Sequence, residues 1–225
     1  MPTPIKFKAD FYPGVFYHML CKSIDGILLF GDRKDYGAFL QKAYSFLLDF
    51  FELWSYNLLS NHTHFIIKVK SADSILLFLS SVKFEDQTLS MKRFIEQPAD
   101  AGLFSEMIER QVNRFLVSYA FYYNDKYTRS GGLFRRPFRR VQIEDEAYLQ
   151  QAIIYCHANA EKHKITDDFR KYPYSSYQSI IQGNDEHLAV DAVLKFFGGI
   201  EKMIETHRLQ VEYYYKPKWP TSKLE

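Results

Sequence analysis

Two histidines and a tyrosine carry the chemistry that this sequence could perform. His62 and His64 stand one residue apart in the segment SNHTHFIIKVK, residues 60–70. Side chains of a β-strand alternate between faces, so both imidazoles would lie on one face, about 7 Å apart at Cα, where they could bind one ion. Such a pair can also be structural or merely exposed, and it needs a third ligand before it indicates a metal site.

A candidate third ligand lies in the segment YCHAN, residues 155–159. Tyr155 and Asn159 are four residues apart, so on a helix both project from the same side. If that side meets the histidine face, Asn159 can offer an amide oxygen to the ion while Tyr155 points its phenol at the group that the ion polarises. The alternative is that Tyr155 is a core aromatic residue and Asn159 a helix C-terminal residue.

Other histidines and tyrosines are weaker candidates. Tyr119 and Tyr122 continue the apolar stripe of the preceding helix, which favours core packing over a role as nucleophile. His157 lies two residues from Tyr155 and points to another side of the helix, and we expect His18 and His163 to be structural or surface residues. Tyr155 is preferred because only it has a metal-ligand candidate one turn away.

The most basic part of the chain is residues 126–140, KYTRSGGLFRRPFRR, which contain no acidic residue. Its cations are interleaved with Tyr127, Phe134 and Phe138, and Phe134 or Tyr127 could stack on an unpaired base. This combination is typical of polyanion binding, although basic loops are also common on solvated surfaces. The candidate DNA contacts are Lys126, Arg129, Arg135, Arg136, Arg139 and Arg140.

The order of predicted elements is βαββαβ followed by a further helix. Strands are predicted over 14–23, 52–60, 62–70 and 133–143, and an amphipathic helix over 32–51. A weak helical region at 72–83 and a helix from Ser105 to Lys126 follow the third strand, and a helix over 144–163 follows the fourth. This order predicts an α+β fold of the ferredoxin-like class, with an antiparallel sheet, helices on one face and the candidate catalytic helix after the last strand.

Length and composition bound the remaining possibilities. The 225 residues, 47% of them hydrophobic, suffice for one core, with a domain at 1–164 and a C-terminal helical extension at 165–225. No apolar run approaches the ~18 residues of a membrane span, the first residues lack a secretory signal pattern, and Cys21 and Cys156 give no disulfide framework, so we expect a cytoplasmic protein. The net charge of +2 supports no global electrostatic argument.

Five motifs, in this order and at these separations, resemble the REP-associated tyrosine transposases. They are FYHMLCKS, SNHTHFIIK, RSGGLFRRPFRR, IEDEAYL and YCHANAEKH, and the similarity extends over about residues 14–177, with KYPYSSY near its end. That family belongs to the single-tyrosine HUH transposases of bacterial insertion sequences and their domesticated relatives.

The resemblance implies a role for each site residue. His62 and His64 match the paired histidines of the HUH motif, Tyr155 matches the nucleophilic tyrosine, and Asn159 matches the polar residue that completes the metal site. It implies Mg²⁺ or Mn²⁺ as cofactor, single-stranded or hairpin DNA as partner, and cleavage through a 5′-phosphotyrosine that conserves the bond energy for rejoining. Family members include monomers and dimers, so a homodimer stays open, and the segment VEYYYKPKW could contact DNA or a second copy.

The sequence departs from the family at three places. Thr63 replaces a bulky hydrophobic residue, Leu59-Ser60 replaces a common Met-Pro, and Ala160 replaces the proline after the asparagine. Because of these differences, a catalytically drifted nucleic-acid-binding protein on the same fold is the alternative function. A third reading, an unrelated metal hydrolase that uses water, would need a carboxylate ligand that the neighbouring sequence does not supply.

Overall fold

A computed structural model describes residues 7–214 of the chain. The strands are β1 (Phe16–Lys22), β2 (Phe51–Leu59), β3 (His62–Val69) and β4 (Arg139–Ile143). The helices are α1 (Arg33–Leu47), α2 (Ala72–Ser81), α3 (Leu89–Glu96), α4 (Ala101–Lys126), α5 (Glu146–Lys162), α6 (Tyr177–Gln182), α7 (Val190–Phe197) and α8 (Ile200–Tyr214). The part of VEYYYKPKW after Tyr214 lies outside the described residues.

The strands form one antiparallel sheet in the order β2-β3-β1-β4. This confirms the predicted ferredoxin-like α+β class, because β1-α1-β2 and β3-to-β4 are the two crossover connections of that fold. Among the described residues, no helix is both long enough and apolar enough to cross a lipid bilayer.

Side chains of β3 alternate between the two faces of the sheet, and each face packs against different helices. Thr63, Phe65 and Ile67 are buried on one face. There the ring centroids of Phe65 and Phe39 of α1 are 6.1 Å apart, and those of Phe39 and Phe115 of α4 are 4.9 Å apart. His64 and Ile66 are buried on the other face, beneath α5. The candidate site residues of β3 therefore lie on the face opposite to the α1–α4 layer.

Two helix boundaries differ from prediction because capping residues and strand pairing determine them. Asp32 caps α1 as expected, accepting from the backbone of Lys34 and Asp35, but the helix ends at Leu47 and Phe51 begins β2. The long helix begins at Ala101, not at Ser105, because Asp100 is its N-cap. Helix α3, capped by Thr88, was not predicted.

Residues after 164 continue the same structure by covering the free edge of β2. The Leu58 amide donates to the carbonyl of Tyr174 at 2.9 Å and the Ser176 amide donates to that of Tyr56 at 3.0 Å. Helix α8 packs against α5. The C-terminal segment thus fixes the position of α5, which carries two of the candidate site residues.

Candidate metal and tyrosine site

The structure brings His64 and Tyr155 together across the interface between β3 and α5. Their ring centroids are 5.9 Å apart, and that of His62 is 5.1 Å from His64. Tyr155 is 1% exposed, and His64 is equally buried. Although these residues are some ninety positions apart in sequence, the fold places the imidazole pair and the phenol in one cluster.

Asn159 lies one helical turn beyond Tyr155 and is fully buried. Its Nδ2 donates to the Tyr155 carbonyl at 3.0 Å, whereas its Oδ1 has no hydrogen-bond partner. His64 Nε2 is likewise buried without a partner. Buried polar atoms are nearly always paired, so these two atoms next to Tyr155 suit a ligand such as a divalent cation.

The hydrogen bonds around the histidines favour one tautomer for a metal ligand. Asn61 Oδ1 lies 2.7 Å from His62 Nδ1, and because an amide oxygen only accepts, that nitrogen carries the proton. His64 Nδ1 lies 2.8 Å from His18 Nε2, so a proton on His64 Nδ1 can bind His18. Both arrangements leave the lone pair on Nε2, the nitrogen that would coordinate an ion.

Burial keeps the inner histidines neutral at physiological pH. It lowers the pKa of His18 to about 4. Burial, reinforced by the neighbouring His18 and His62, holds the pKa of His64 well below its usual value. Neutral imidazoles are the form that binds metal ions.

The donor set fits a cation that accepts nitrogen and oxygen ligands. Among the described residues, no three His, Cys, Asp or Glu side chains form a metal cluster. A site made of His62, His64 and Asn159 contains two such residues plus an amide, so that finding leaves it intact. Two imidazoles and one amide oxygen suit Mn²⁺ or Mg²⁺, with positions left for other oxygen ligands.

Three residues near the site were missed or read differently from sequence. Lys162 Nζ donates to the Tyr155 hydroxyl at 3.3 Å and lies 4.9 Å from its ring centroid, and its position seven residues after Tyr155 is the signal that could have identified it. His18 binds His64 directly. Asn57, opposite His64 on β2, has a buried, unpaired Oδ1 and donates from Nδ2 to the Cys156 and His157 carbonyls.

The remaining histidines and rival tyrosines lie where their spacing suggests. His157 points away from the site, to His207 and Ser176. His163 is exposed, with its ring 5.2 Å from that of His62. Tyr119 is buried in the α1–α4 layer, and the Tyr122 hydroxyl donates to Asp35.

The basic segment divides into internal and exposed cations. Lys126 binds Asp35 at 2.6 Å and Asp32 at 2.9 Å. Arg140 is 3% exposed and binds Glu109 at 2.6 Å. Both charges are paired within the fold, and contact of Lys126 and Arg140 with DNA stays a prediction.

Of the other four arginines, Arg135 and Arg139 are tied to β1, next to the histidine face. Arg139 pairs with Leu20, which also pairs with His64, so it belongs to the histidine face. The Arg135 amide donates to the carbonyl of Lys22, the residue opposite His62. Arg135 and Arg136 are exposed, whereas Arg129 binds the Asn124 side chain and the Gly132 carbonyl.

The two aromatic residues expected to stack on bases differ in exposure. Phe134 is buried in the core, whereas Tyr127 is 39% exposed and its hydroxyl donates to Asp35 at 2.6 Å. Phe134 is therefore covered in this structure, and stacking of Tyr127 on a base stays a prediction.

Comparison with solved structures relates this fold to a DNA-processing protein. The chain is similar to a REP-associated tyrosine transposase bound to a REP hairpin, with a TM-score of 0.50, 13% identity and coverage of 80% of this chain and 87% of that chain. No protein-family model matches the sequence, and no curated protein matches it. At this identity, the similarity establishes a shared fold.

Proposed function

We propose that this protein is a metal-dependent DNA transposase of the single-tyrosine HUH type, which cleaves and rejoins single-stranded DNA. The proposal is supported by the cluster of His62, His64 and Tyr155, with Asn159 one helical turn from Tyr155, on a fold similar to that of a tyrosine transposase. The single observation that carries it is the pair of buried, unpaired atoms, His64 Nε2 and Asn159 Oδ1, beside a tyrosine.

His62, His64 and Asn159 would hold Mg²⁺ or Mn²⁺. When bound, the ion supplies positive charge that reduces the repulsion between the scissile phosphate and its nucleophile. His18 hydrogen-bonds to Nδ1 of His64, and Asn61 hydrogen-bonds to Nδ1 of His62. With the proton on Nδ1, each imidazole would offer Nε2 to the ion. Neutral imidazoles held in this tautomer would need to lose no proton before binding the cation.

Tyr155 would act as the nucleophile. Its hydroxyl oxygen forms a bond to phosphorus while the bond from phosphorus to the 3′ oxygen breaks, and the proton lost by the phenol is balanced by the proton that the 3′ hydroxyl gains. The product is a 5′-phosphotyrosine that a 3′ hydroxyl can attack in reverse, so rejoining needs no ATP. Lys162, whose Nζ lies 3.3 Å from the hydroxyl, would orient the phenol or contact the phosphate.

The DNA would approach from the end of β1. Lys22 is exposed there, next to Arg135 and opposite His62, and Arg139 lies on the same face. Cations around a site attract the phosphates of a strand without reading its sequence. A single-stranded segment or the base of a hairpin is the substrate that we propose.

The test is formation of a covalent protein–DNA adduct. The full chain is incubated with Mn²⁺ and labelled hairpins that carry randomised single-stranded flanks, because the target sequence is unknown, and products are separated under denaturing conditions. We expect an adduct that disappears in Tyr155→Phe and with EDTA and persists in Tyr122→Phe. Cleavage that survives Tyr155→Phe would contradict this mechanism and favour a water nucleophile or another tyrosine.

A DNA-binding protein without cleavage activity is the second candidate, and the burial of Tyr155 favours it. The phenol is 1% exposed and Lys162 contacts its hydroxyl, so cleavage requires Lys162 to move or DNA to open the interface. Specific hairpin binding with no adduct on any flank would support this candidate.

A further inference from the structure

A large groove lies on the side of the sheet opposite to Tyr155. It has a volume of about 830 Å³ and is bordered by α1, α3 and α4. Ligand sites commonly span ~300–1,000 Å³, so the groove can hold a group of nucleotide size. None of the proposed catalytic residues lines it.

The groove is strongly cationic. Five basic side chains line it: Lys42, Arg93, Arg110, Arg114 and Arg136. Glu106 is the only acidic residue among the described residues that line it, and it pairs with Arg93 at 3.1 Å and Arg110 at 2.8 Å. An excess of positive charge in a concave surface attracts polyanions.

One face of α4 combines this charge with an exposed aromatic ring. Arg110, Arg114 and Phe121 follow each other at helical spacing, so they form a stripe about 16 Å long. Phe121 is 72% exposed, and Leu89 across the groove is 75% exposed. Alternating cations and exposed rings are the means by which proteins bind single-stranded nucleic acid, through phosphates and stacked bases.

The groove is connected to the proposed site by the loop before β4. Arg136 and Phe121 line both the groove and a smaller pocket formed with Gly131 and Gly132. The adjacent Arg135 amide binds the Lys22 carbonyl, opposite His62. A strand leaving the site can therefore pass around the end of β1 and stay in contact with cations until it reaches α4.

We propose that this groove binds a single-stranded DNA segment that flanks the segment processed at Tyr155. The inference rests on the proposed function for the source of the strand, but the groove itself is defined by charge and shape. An acidic peptide would match the charge as well. The continuity with the basic loop and the exposed Phe121 ring favour DNA.

The experiment measures equilibrium DNA binding by fluorescence anisotropy, using the full chain in EDTA so that no cleavage occurs. The probes are a blunt hairpin and the same hairpin with a twelve-nucleotide single-stranded flank. The variants are Arg110→Gln/Arg114→Gln and Phe121→Ser, and the matched control is Arg33→Gln/Arg208→Gln, which removes the same charge at exposed positions outside the groove. Circular dichroism checks that each variant retains the native fold.

We expect the paired arginine variant to bind the flanked hairpin at least tenfold more weakly and to lower the slope of log K against log salt by about one. Phe121→Ser should weaken flanked-hairpin binding about fivefold or more, and both changes should affect the blunt hairpin less. The control should bind within twofold of wild type.

The other outcomes distinguish failure of the groove proposal from failure of the transposase proposal. The groove inference is overturned if the groove variants bind the flanked hairpin as tightly as the control variant does. It is also overturned if poly-glutamate competes with the hairpin equally well and this competition does not depend on Phe121. In both cases the adduct assay still tests cleavage. If binding depends on the groove and no adduct forms, the groove inference is supported and the transposase proposal fails. Absence of DNA binding in the wild type would overturn both.

Discussion

At the level of single residues, the proposed role of Asn159 as a metal ligand has a cost in folding stability. Its buried Oδ1 has no partner, and an unpaired buried acceptor costs about 1–3 kcal/mol of folding free energy. That cost is understandable if the atom serves a ligand, because functional sites commonly sacrifice stability.

This leads to a prediction for Asn159→Ala. Without metal, the melting temperature should change by only a few degrees, because an unpaired acceptor is removed together with one amide hydrogen bond. The rise in melting temperature caused by Mn²⁺ should be lost, and adduct formation should fall at least tenfold. Asn113→Ala is the matched control for the Mn²⁺ effect on the melting temperature, because Asn113 makes the same type of bond, from Nδ2 to the carbonyl four residues earlier at 3.0 Å. An unchanged Mn²⁺ effect in Asn159→Ala would remove Asn159 from the metal site.

Lys162 gives a second residue-level prediction. Its ammonium group is 3.3 Å from the Tyr155 hydroxyl, so Lys162→Met should slow adduct formation about tenfold, the rate equivalent of ~1.4 kcal/mol for a charged hydrogen bond. Lys162→Arg should retain most of the rate, and Lys171→Met, at an exposed position, should have no effect. A faster reaction in Lys162→Met would mean that the lysine only covers the phenol.

Sequence reasoning identified the residues of the site but not their neighbours. The one-residue and four-residue spacings of His62, His64, Tyr155 and Asn159 follow from strand and helix periodicity, so they could be interpreted without coordinates. The contact between His18 and His64 depends on the register of β1 against β3, which a single sequence does not determine. The ion pairs of Lys126 and Arg140 depend on acids in distant parts of the chain, so counting charges in one segment could not show that these two cations are paired within the fold.

At the level of elements, α5 is fixed by a buried histidine pair shared with α8. His207 Nδ1 donates to the Met203 carbonyl at 2.8 Å, which leaves its Nε2 to accept from His157 Nδ1 at 2.9 Å. His157 Nε2 then accepts from the Ser176 hydroxyl. This chain of hydrogen bonds is complete with both rings neutral, and a proton added to His207 Nε2 would break the bond to His157 Nδ1.

The pair predicts a pH dependence of stability. Burial lowers the pKa of His207 to about 4 in the folded chain, against about 6.5 when unfolded. The unfolded chain therefore binds more protons below pH 6.5, so the unfolding free energy should fall as the pH drops from 6.5 to 4, by about 3 kcal/mol from this residue. Above pH 6.5 the contribution is constant. His157, which faces His207, has its pKa lowered in the same direction, so it adds to the effect.

Urea denaturation at several pH values between 4 and 7.5 measures this dependence. In His207→Gln, the decline between pH 6.5 and 4 should be smaller than in the wild type, whereas His187→Gln, at a partly exposed position, should leave it unchanged. Identical pH profiles for wild type and His207→Gln would contradict the prediction.

Element types were more predictable than their limits. The antiparallel sheet, α1 and α5 follow from periodicity and capping residues, because these signals are local. The start of α4 was misplaced because Asp100 and Ser105 are both acceptable N-caps, and the choice depends on packing that buries Phe104 and Ser105. Strand β4 is shorter than the predicted 133–143 because only residues from Arg139 onward pair with β1 in the sheet.

At the level of the whole molecule, the sheet separates two cationic regions. The histidine face carries the candidate site under α5, and the α1–α4 layer carries the groove. The loop before β4 joins them at the end of β1. Under the two proposals, a DNA strand would run from the site to the groove past the loop before β4.

The division at residue 164 stays a prediction, and the packing leads us to expect a single folding unit. Phe169, Tyr177 and Phe197 are buried in the same core cluster as the sheet. Residues 172–176 supply hydrogen bonds to the edge of β2, including two from the backbone and one from the Tyr172 hydroxyl to the Leu58 carbonyl at 2.7 Å. Removing residues after 164 would expose that edge and the apolar side of α5, and unprotected edges favour aggregation.

We therefore predict that a fragment of residues 1–164 will not unfold cooperatively. Burial of those aromatic side chains is worth several kcal/mol, comparable with the ~5–15 kcal/mol stability of a whole domain, so its loss should unfold the remainder. Urea titration followed by circular dichroism should give one steep transition for the full chain and a shallow or absent one for the fragment. A soluble fragment with native β-sheet signal and a steep transition would establish the boundary at 164 and make the C-terminal helices an independent addition; in that case α5 would have to hold Tyr155 against His64 without α8.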